Sequence, residues 1–126
     1  GECNISKIMV VDDEVKECEL LERFLERKGY DVITFYSGEK ALEQVRYEEP
    51  DVILLDIKMP GMDGLEVLRN IREFSKDVGV IMVTALNDEK TGLTATKLGA
   101  NDYVTKPVDL EHLATSIRKI CTDLLP

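Results

Sequence analysis

The chain has 126 residues, 44% of them hydrophobic and 33% charged, which suits one domain with a single core and excludes a disordered or membrane-biased composition. Asp and Glu outnumber Lys and Arg by 25 to 16, for a net charge of -9. With no basic run to offset it, this balance opposes direct nucleic-acid binding, which needs clustered cations to displace counterions.

Gly1 to Ser6 reads as a flexible N-terminal segment with no signal-peptide pattern, and the domain is expected over residues 7–124. The first strand is expected at Lys7 to Val11. A helix follows, with Val15, Cys18, Leu21 (or Leu20), Phe24 and Leu25 at three-and-four spacing and Gly29 as its stop. Val32 to Phe35 is the second strand. After the Ser37-Gly38 turn, Ala41, Leu42 and Val45 mark the second helix. Asp51 to Leu55 is the third strand, and its unbroken apolar run Val52 to Leu55 fits a central parallel strand covered on both faces. Leu65, Leu68, Ile71 and Arg72 with Phe74 carry the third helix, and Val80 to Thr84 forms the fourth strand. Asn87 to Leu98 is the weakest helix, because Gly92, Thr91, Thr94 and Thr96 have poor helix propensity, and mobility is expected there. Tyr103 to Thr105 is the fifth strand. The last helix runs through Leu110, Leu113, Ile117, Ile120 and Leu124 behind Asp109 as N-cap, and the final Leu-Leu-Pro reads as loose.

Five strand-then-helix repeats with short connections predict an α/β fold: a single (βα)5 doubly wound parallel five-stranded sheet of flavodoxin-like layout. No apolar run approaches the roughly 18 residues of a membrane span, so no membrane association is expected. The cysteines Cys3, Cys18 and Cys121 are odd in number and lack Cys-x-x-Cys spacing, which predicts neither a disulfide framework nor a zinc site and fits a cytoplasmic location.

In such sheets ligands bind beyond the carboxyl ends of the strands. At those ends stand Asp12 and Asp13, Asp56, Thr84 and Lys106. Each has an ordinary explanation alone: Asp12 or Asp13 could cap the first helix, Asp56 could be a turn residue, Thr84 a cap and Lys106 a solvated lysine. Their joint placement argues for a site. Two like charges about 4 Å apart repel by roughly 4 kcal/mol at an effective dielectric near 20, so three carboxylates call for a cation or protons. Hard oxygen ligands in a shallow, wet position favour Mg²⁺.

Local motifs sharpen this. Val10-Val11-Asp12-Asp13-Glu14, Leu54-Leu55-Asp56-Ile57-Lys58-Met59-Pro60-Gly61-Met62-Asp63-Gly64, Val83-Thr84-Ala85 and Gly99-Ala100-Asn101-Asp102-Tyr103-Val104-Thr105-Lys106-Pro107 occur in order. Together they resemble the signatures of the receiver (CheY-like) domain of two-component response regulators, over about Lys7 to Leu124.

The resemblance implies that Asp56 is the phosphoacceptor and that Asp13, Asp56, Asp12 partly through water and the carbonyl of Lys58 hold Mg²⁺, with Mn²⁺ as an alternative. Thr84 and Lys106 would bond phosphoryl oxygens, Thr84 and Tyr103 would form the switch, and the Lys106-Pro107 bond would be cis. The donor would be a histidine kinase or histidine phosphotransfer protein, and the output a downstream effector domain or target. The chain would be no conventional enzyme and would catalyse only its own phosphorylation and dephosphorylation. His112, on the last helix, is not the donor. A phosphorylation-dependent homodimer is one family route, but Asn101, Glu111 and Ser116 stand where one dimer type offers an acid and two arginines. Lys58 and Leu86 line the family's hydrolytic-water path and imply slow self-dephosphorylation.

Three other functions fit these residues less well. A receiver fold kept as a dimerisation or binding scaffold would not need the complete site. An aspartate-nucleophile hydrolase needs a second acid two residues after Asp56, where Lys58 stands. A flavodoxin-like cofactor binder needs a phosphate loop after strand one, where Asp12 and Asp13 would repel phosphate.

Overall fold

A computed structural model describes residues 4–124, with side chains through residue 121. Strands β1 (Lys7–Val11), β2 (Asp31–Phe35), β3 (Val52–Leu55), β4 (Gly79–Thr84) and β5 (Asp102–Thr105) alternate with helices α1 (Val15–Arg27), α2 (Gly38–Glu48), α3 (Gly64–Phe74), α4 (Glu89–Leu98) and α5 (Leu110–Leu124). The strands form one sheet in the order β2-β1-β3-β4-β5, with every neighbouring pair parallel.

Two-residue alternation along the strands divides the core. Met9, Val11, Ile53, Leu55, Val80 and Met82 pack with Ala41 and Val45 of α2, Val67, Leu68 and Ile71 of α3, and Ala95 of α4. Ile8, Val10, Val52, Leu54, Ile81 and Val83 pack instead with Cys18, Leu21 and Leu25 of α1 and with Leu113, Ile117 and Ile120 of α5. β3 is buried along its whole length, which is why its sequence shows no polar alternation.

Helix ends differ from the sequence expectations in ways that matter for the site. Neither Asp12 nor Asp13 is the N-cap of α1; Glu14 holds that position and makes no side-chain capping bond. Val15 is 50% exposed, because helical side chains lean toward the N-terminus and a first-turn residue projects past the helix start. Phe74, at the end of α3, is partly exposed beneath the Arg46 guanidinium, 4.2 Å from its ring centre. Thr84 caps nothing, since Asp88 caps α4 by accepting from the Thr91 N–H and hydroxyl. The threonines that weaken α4 are bonded within it: Thr94 donates to the Lys90 carbonyl and Thr96 to that of Gly92. Asp109 does cap α5, through the N–H groups of Glu111 and His112.

Of the N-terminal segment expected to be loose, residues 1–3 lie outside the described residues, while Ser6 bonds Asp51 through its N–H and hydroxyl. Residues 125 and 126 of the loose C-terminal end and the Leu124 side chain also lie outside them. Cys121 is disulfide-bonded, contrary to the expectation of no disulfide, because sequence spacing does not see cysteines that folding brings together. Cys18 is a buried free thiol.

Candidate functional site

The order β2-β1-β3-β4-β5 reverses direction of winding between β1 and β3, so the carboxyl ends of these two strands open a crevice. Backbone pairing continues one residue past the strands and fixes the residues there. The Asp12 N–H donates to the Phe35 carbonyl at 3.1 Å, the Asp56 N–H to that of Val11 at 3.0 Å, and the Lys106 N–H to that of Thr84 at 2.8 Å. Three candidate site residues are thereby held in register by the sheet itself.

The segment after β3 is shaped by Gly64. A Cβ on Gly64 would lie 2.1 Å from the Asp56 carbonyl oxygen, so only glycine lets α3 start this close to the strand end. Its N–H donates to the Ile57 carbonyl at 2.8 Å, and Asp63 caps α3 through the Glu66 N–H.

Carboxylate oxygens of Asp12, Asp13 and Asp56 all lie within 4.8 Å of one another. Asp12 and Asp56 are buried, at 2% and 5% exposure, while Asp13 is exposed. Lys106 reaches in from the far side: its Nζ is 2.7 Å from Asp12 Oδ2 and 3.2 Å from both Asp56 Oδ2 and Glu14 Oε1. Burial raises the Asp12 pKa, opposed by the Lys106 hydrogen bond and the Glu14 N–H and aided by the nearby Asp56 charge. For Lys106, burial pulls the other way, but bonding to Asp12 and the charges of Asp12 and Asp56 outweigh it, and the net shift is upward. One ammonium thus answers three clustered carboxylates, which leaves an all-oxygen acidic site that fits a hard divalent cation such as Mg²⁺.

The remaining expected residues lie around this cluster. The Lys58 side chain is exposed, and its N–H approaches Asp56 Oδ1 at 3.4 Å. Thr84 is fully buried, and its hydroxyl oxygen accepts from the Leu86 N–H at 3.3 Å. Tyr103 does not reach the cluster; its hydroxyl donates to the Leu86 carbonyl at 2.6 Å. Leu86 is therefore bracketed by the threonine and the tyrosine. The Lys106-Pro107 peptide is cis, and His112 is exposed on α5.

The family model for the response regulator receiver domain matches residues 8–118. The chain belongs to the receiver domain family of two-component response regulators. Receiver domains of this family generally bind Mg²⁺ at an aspartate cluster, interact with a phosphodonor kinase and pass the signal to an effector. A two-component response regulator from Clostridium difficile superposes with a TM-score of 0.91 at 28% identity, covering 96% of this chain and 99% of that one. A CheY-like receiver domain protein from Methanospirillum hungatei gives 0.90 at 27% identity, over 95% and 96%. The BeF3-activated N-terminal receiver domain of Klebsiella pneumoniae RstA gives 0.87 at 28% identity, over 92% and 98%. No helix among the described residues is long and apolar enough to cross a membrane.

Sequence reasoning assigned no role to three contributors to this receiver site. Glu14 was visible inside the Asp-Asp-Glu motif, but nothing in the sequence says that it meets Lys106, 92 positions away. Cys18 donates its thiol to the Asp12 carbonyl at 3.2 Å from beneath, and burial pushes that thiol up to about 12, so it supports the loop as a neutral group. Glu39 accepts from the Met62 N–H, joining the start of α2 to the loop that carries Lys58.

Proposed function

We propose that Asp56 is the phosphoacceptor of this receiver domain. The observation that carries this reading is the buried Asp56 carboxylate, clustered with Asp12 and Asp13 and bonded by Lys106 at the carboxyl edge of the sheet. A carboxylate placed this way can act as a nucleophile and form an acyl phosphate. An Asp56 oxygen attacks phosphorus on a phosphohistidine of a histidine kinase or phosphotransfer protein, the P–N bond breaks, and the imidazole leaves.

Phosphoryl transfer asks the protein mainly for position and neutralising charge. Lys106 supplies one such charge within bonding reach of Asp56. Asp12, Asp13, Asp56 and the Lys58 carbonyl would hold Mg²⁺, or Mn²⁺ in its place. Bound there, the ion supplies positive charge to the transferring oxygens. The domain in this reading spans residues 7–124 and catalyses only its own phosphorylation and dephosphorylation. Apolar Leu86 offers no group to orient hydrolytic water, and the exposed Lys58 amine can cover the phosphoryl oxygens, so self-dephosphorylation is slow.

The output runs through Leu86. Thr84 would donate its hydroxyl proton to a phosphoryl oxygen, and because the same hydroxyl accepts from the Leu86 N–H, a shift of Thr84 toward that oxygen pulls on Leu86, which also carries the acceptor for Tyr103. A shift of this backbone segment changes the α4-β5-α5 face that a downstream effector or target reads. One form of dimer across that face is disfavoured: the Asn101 side chain accepts from the Val80 N–H and from Arg72, and Ser116 is buried and donates to Asp102. These groups are engaged within the chain. A cytoplasmic location suits a kinase donor charged from ATP, although the Cys121 disulfide is unusual in a reducing compartment.

Incubation with acetyl phosphate and Mg²⁺ tests the reading by intact mass. The wild-type chain should gain one phosphoryl group that is lost on metal removal before labelling, and Asp56→Asn should gain none. Equal labelling of Asp56→Asn overturns it.

A further inference from the structure

A lysine ammonium has three N–H donors, and in this structure three carboxylates lie within bonding distance of the Lys106 ammonium. Asp12 Oδ2 lies at 2.7 Å, Asp56 Oδ2 at 3.2 Å and Glu14 Oε1 at 3.2 Å. The three acceptors are not equivalent. Asp12 and Asp56 are buried strand-end residues held by backbone pairing, and Asp12 is further fixed by the Glu14 N–H on its Oδ1 at 2.9 Å. The Glu14 side chain is 62% exposed and can rotate into water. Glu14 makes no capping bond for α1, so its carboxylate is not committed to holding the helix.

We propose that Glu14 is a releasable tether for Lys106, a positioning residue that occupies one ammonium N–H in the unphosphorylated domain and gives it up when a phosphoryl oxygen arrives. The proposal rests on Asp56 being the phosphoacceptor. Of the three acceptors, Glu14 is the one whose departure disturbs neither the sheet edge nor the aspartate cluster. While it stays, it places a carboxylate beside the path of an anionic donor and competes for the N–H that the phosphoryl group needs. Its presence therefore slows phosphorylation, and its removal speeds it.

Two measurements on the whole chain test this, with Glu14→Ala set beside Glu19→Ala, which removes an equal charge from an exposed position farther along α1. The first is the Lys106 ammonium resonance by NMR in metal-free protein. Glu14→Ala should shift it and speed its proton exchange, while Glu19→Ala leaves it in place. The second is the rate of labelling by acetyl phosphate at saturating Mg²⁺, in which the donor P–O bond to acetate breaks, a P–O bond to Asp56 forms and acetate leaves. Glu14→Ala should label about two- to fivefold faster than wild type, the range expected for loss of one partly exposed ion-pair contact. An unchanged ammonium resonance, an unchanged or slower rate, or an equal acceleration by Glu19→Ala overturns the tether. Absence of any Asp56-dependent labelling overturns the phosphoacceptor reading instead, and the ammonium resonance then still decides whether Glu14 holds Lys106.

Discussion

Two aspartates bracket β3, and their surroundings are opposite. Asp51, before the strand, accepts from the Ser6 and Lys7 N–H groups at 2.9 Å each and from the Ser6 hydroxyl at 3.3 Å. Asp56, after it, has one long approach from the Lys58 N–H, shares a single ammonium with Asp12 and Glu14, and is buried in a cluster that adds Asp13. The same residue type is structural where its acceptor capacity is met and chemically available where it is not. The phosphoacceptor role proposed for Asp56 rests on what its neighbours leave unanswered.

Mutations can break either half of this contrast. The largest effect is expected from Gly64→Ala, whose new methyl group meets the Asp56 backbone at 2.1 Å. Since the clash is with backbone, about 3 kcal/mol or more of stability should be lost, and labelling at Asp56 should fall with it; urea denaturation and intact mass check both. Asp51→Ala removes an acceptor bonded to three donors and should cost about 2 kcal/mol, with labelling of the folded protein at Asp56 unchanged. Asp13→Asn should do the reverse: relief of repulsion in the cluster stabilises the metal-free chain by about 1 kcal/mol, while Mg²⁺ affinity, read by titration calorimetry, falls. The smallest change concerns neither aspartate. Glu49 ends α2 with φ 47° and ψ 56°, a left-handed conformation that glycine adopts freely. Glu49→Gly should therefore raise the melting temperature through about 0.5 kcal/mol without touching the site.

The sequence made the expected strands and site residues legible because their signals are local. Val52 to Leu55 announces a doubly covered strand by lacking alternation, Asp12, Asp56 and Lys106 follow directly on strand ends, and Thr84 is the last residue of β4, where pairing fixes their position. Less legible were groups that act across long separations. Arg72, read as part of the third helix's inner face, in fact donates to the carbonyls of Ser75, Val78 and Gly99 and to Asn101, tying α3 to the start of β4 and the end of α4. Periodicity placed it correctly but could not reveal carbonyls 27 residues away. Glu14 escaped for the same reason. Val15 and Phe74 were misjudged because spacing gives the face of a helix and not where its first and last turns run past the sheet. In α4, propensity identified a poor helix, whereas the Asp88 cap and threonine hydroxyl bonds that hold it depend on side-chain geometry.

The contrast between the two aspartates is tested most directly by finding which residue carries the phosphoryl group. Acyl phosphate formed with acetyl phosphate and Mg²⁺ can be trapped by borohydride reduction, which converts the modified aspartate to homoserine, and located by peptide mass mapping. The account predicts homoserine at position 56 and intact aspartate at positions 12, 13 and 51. Homoserine at any of those three, with Asp56 unmodified, would contradict it.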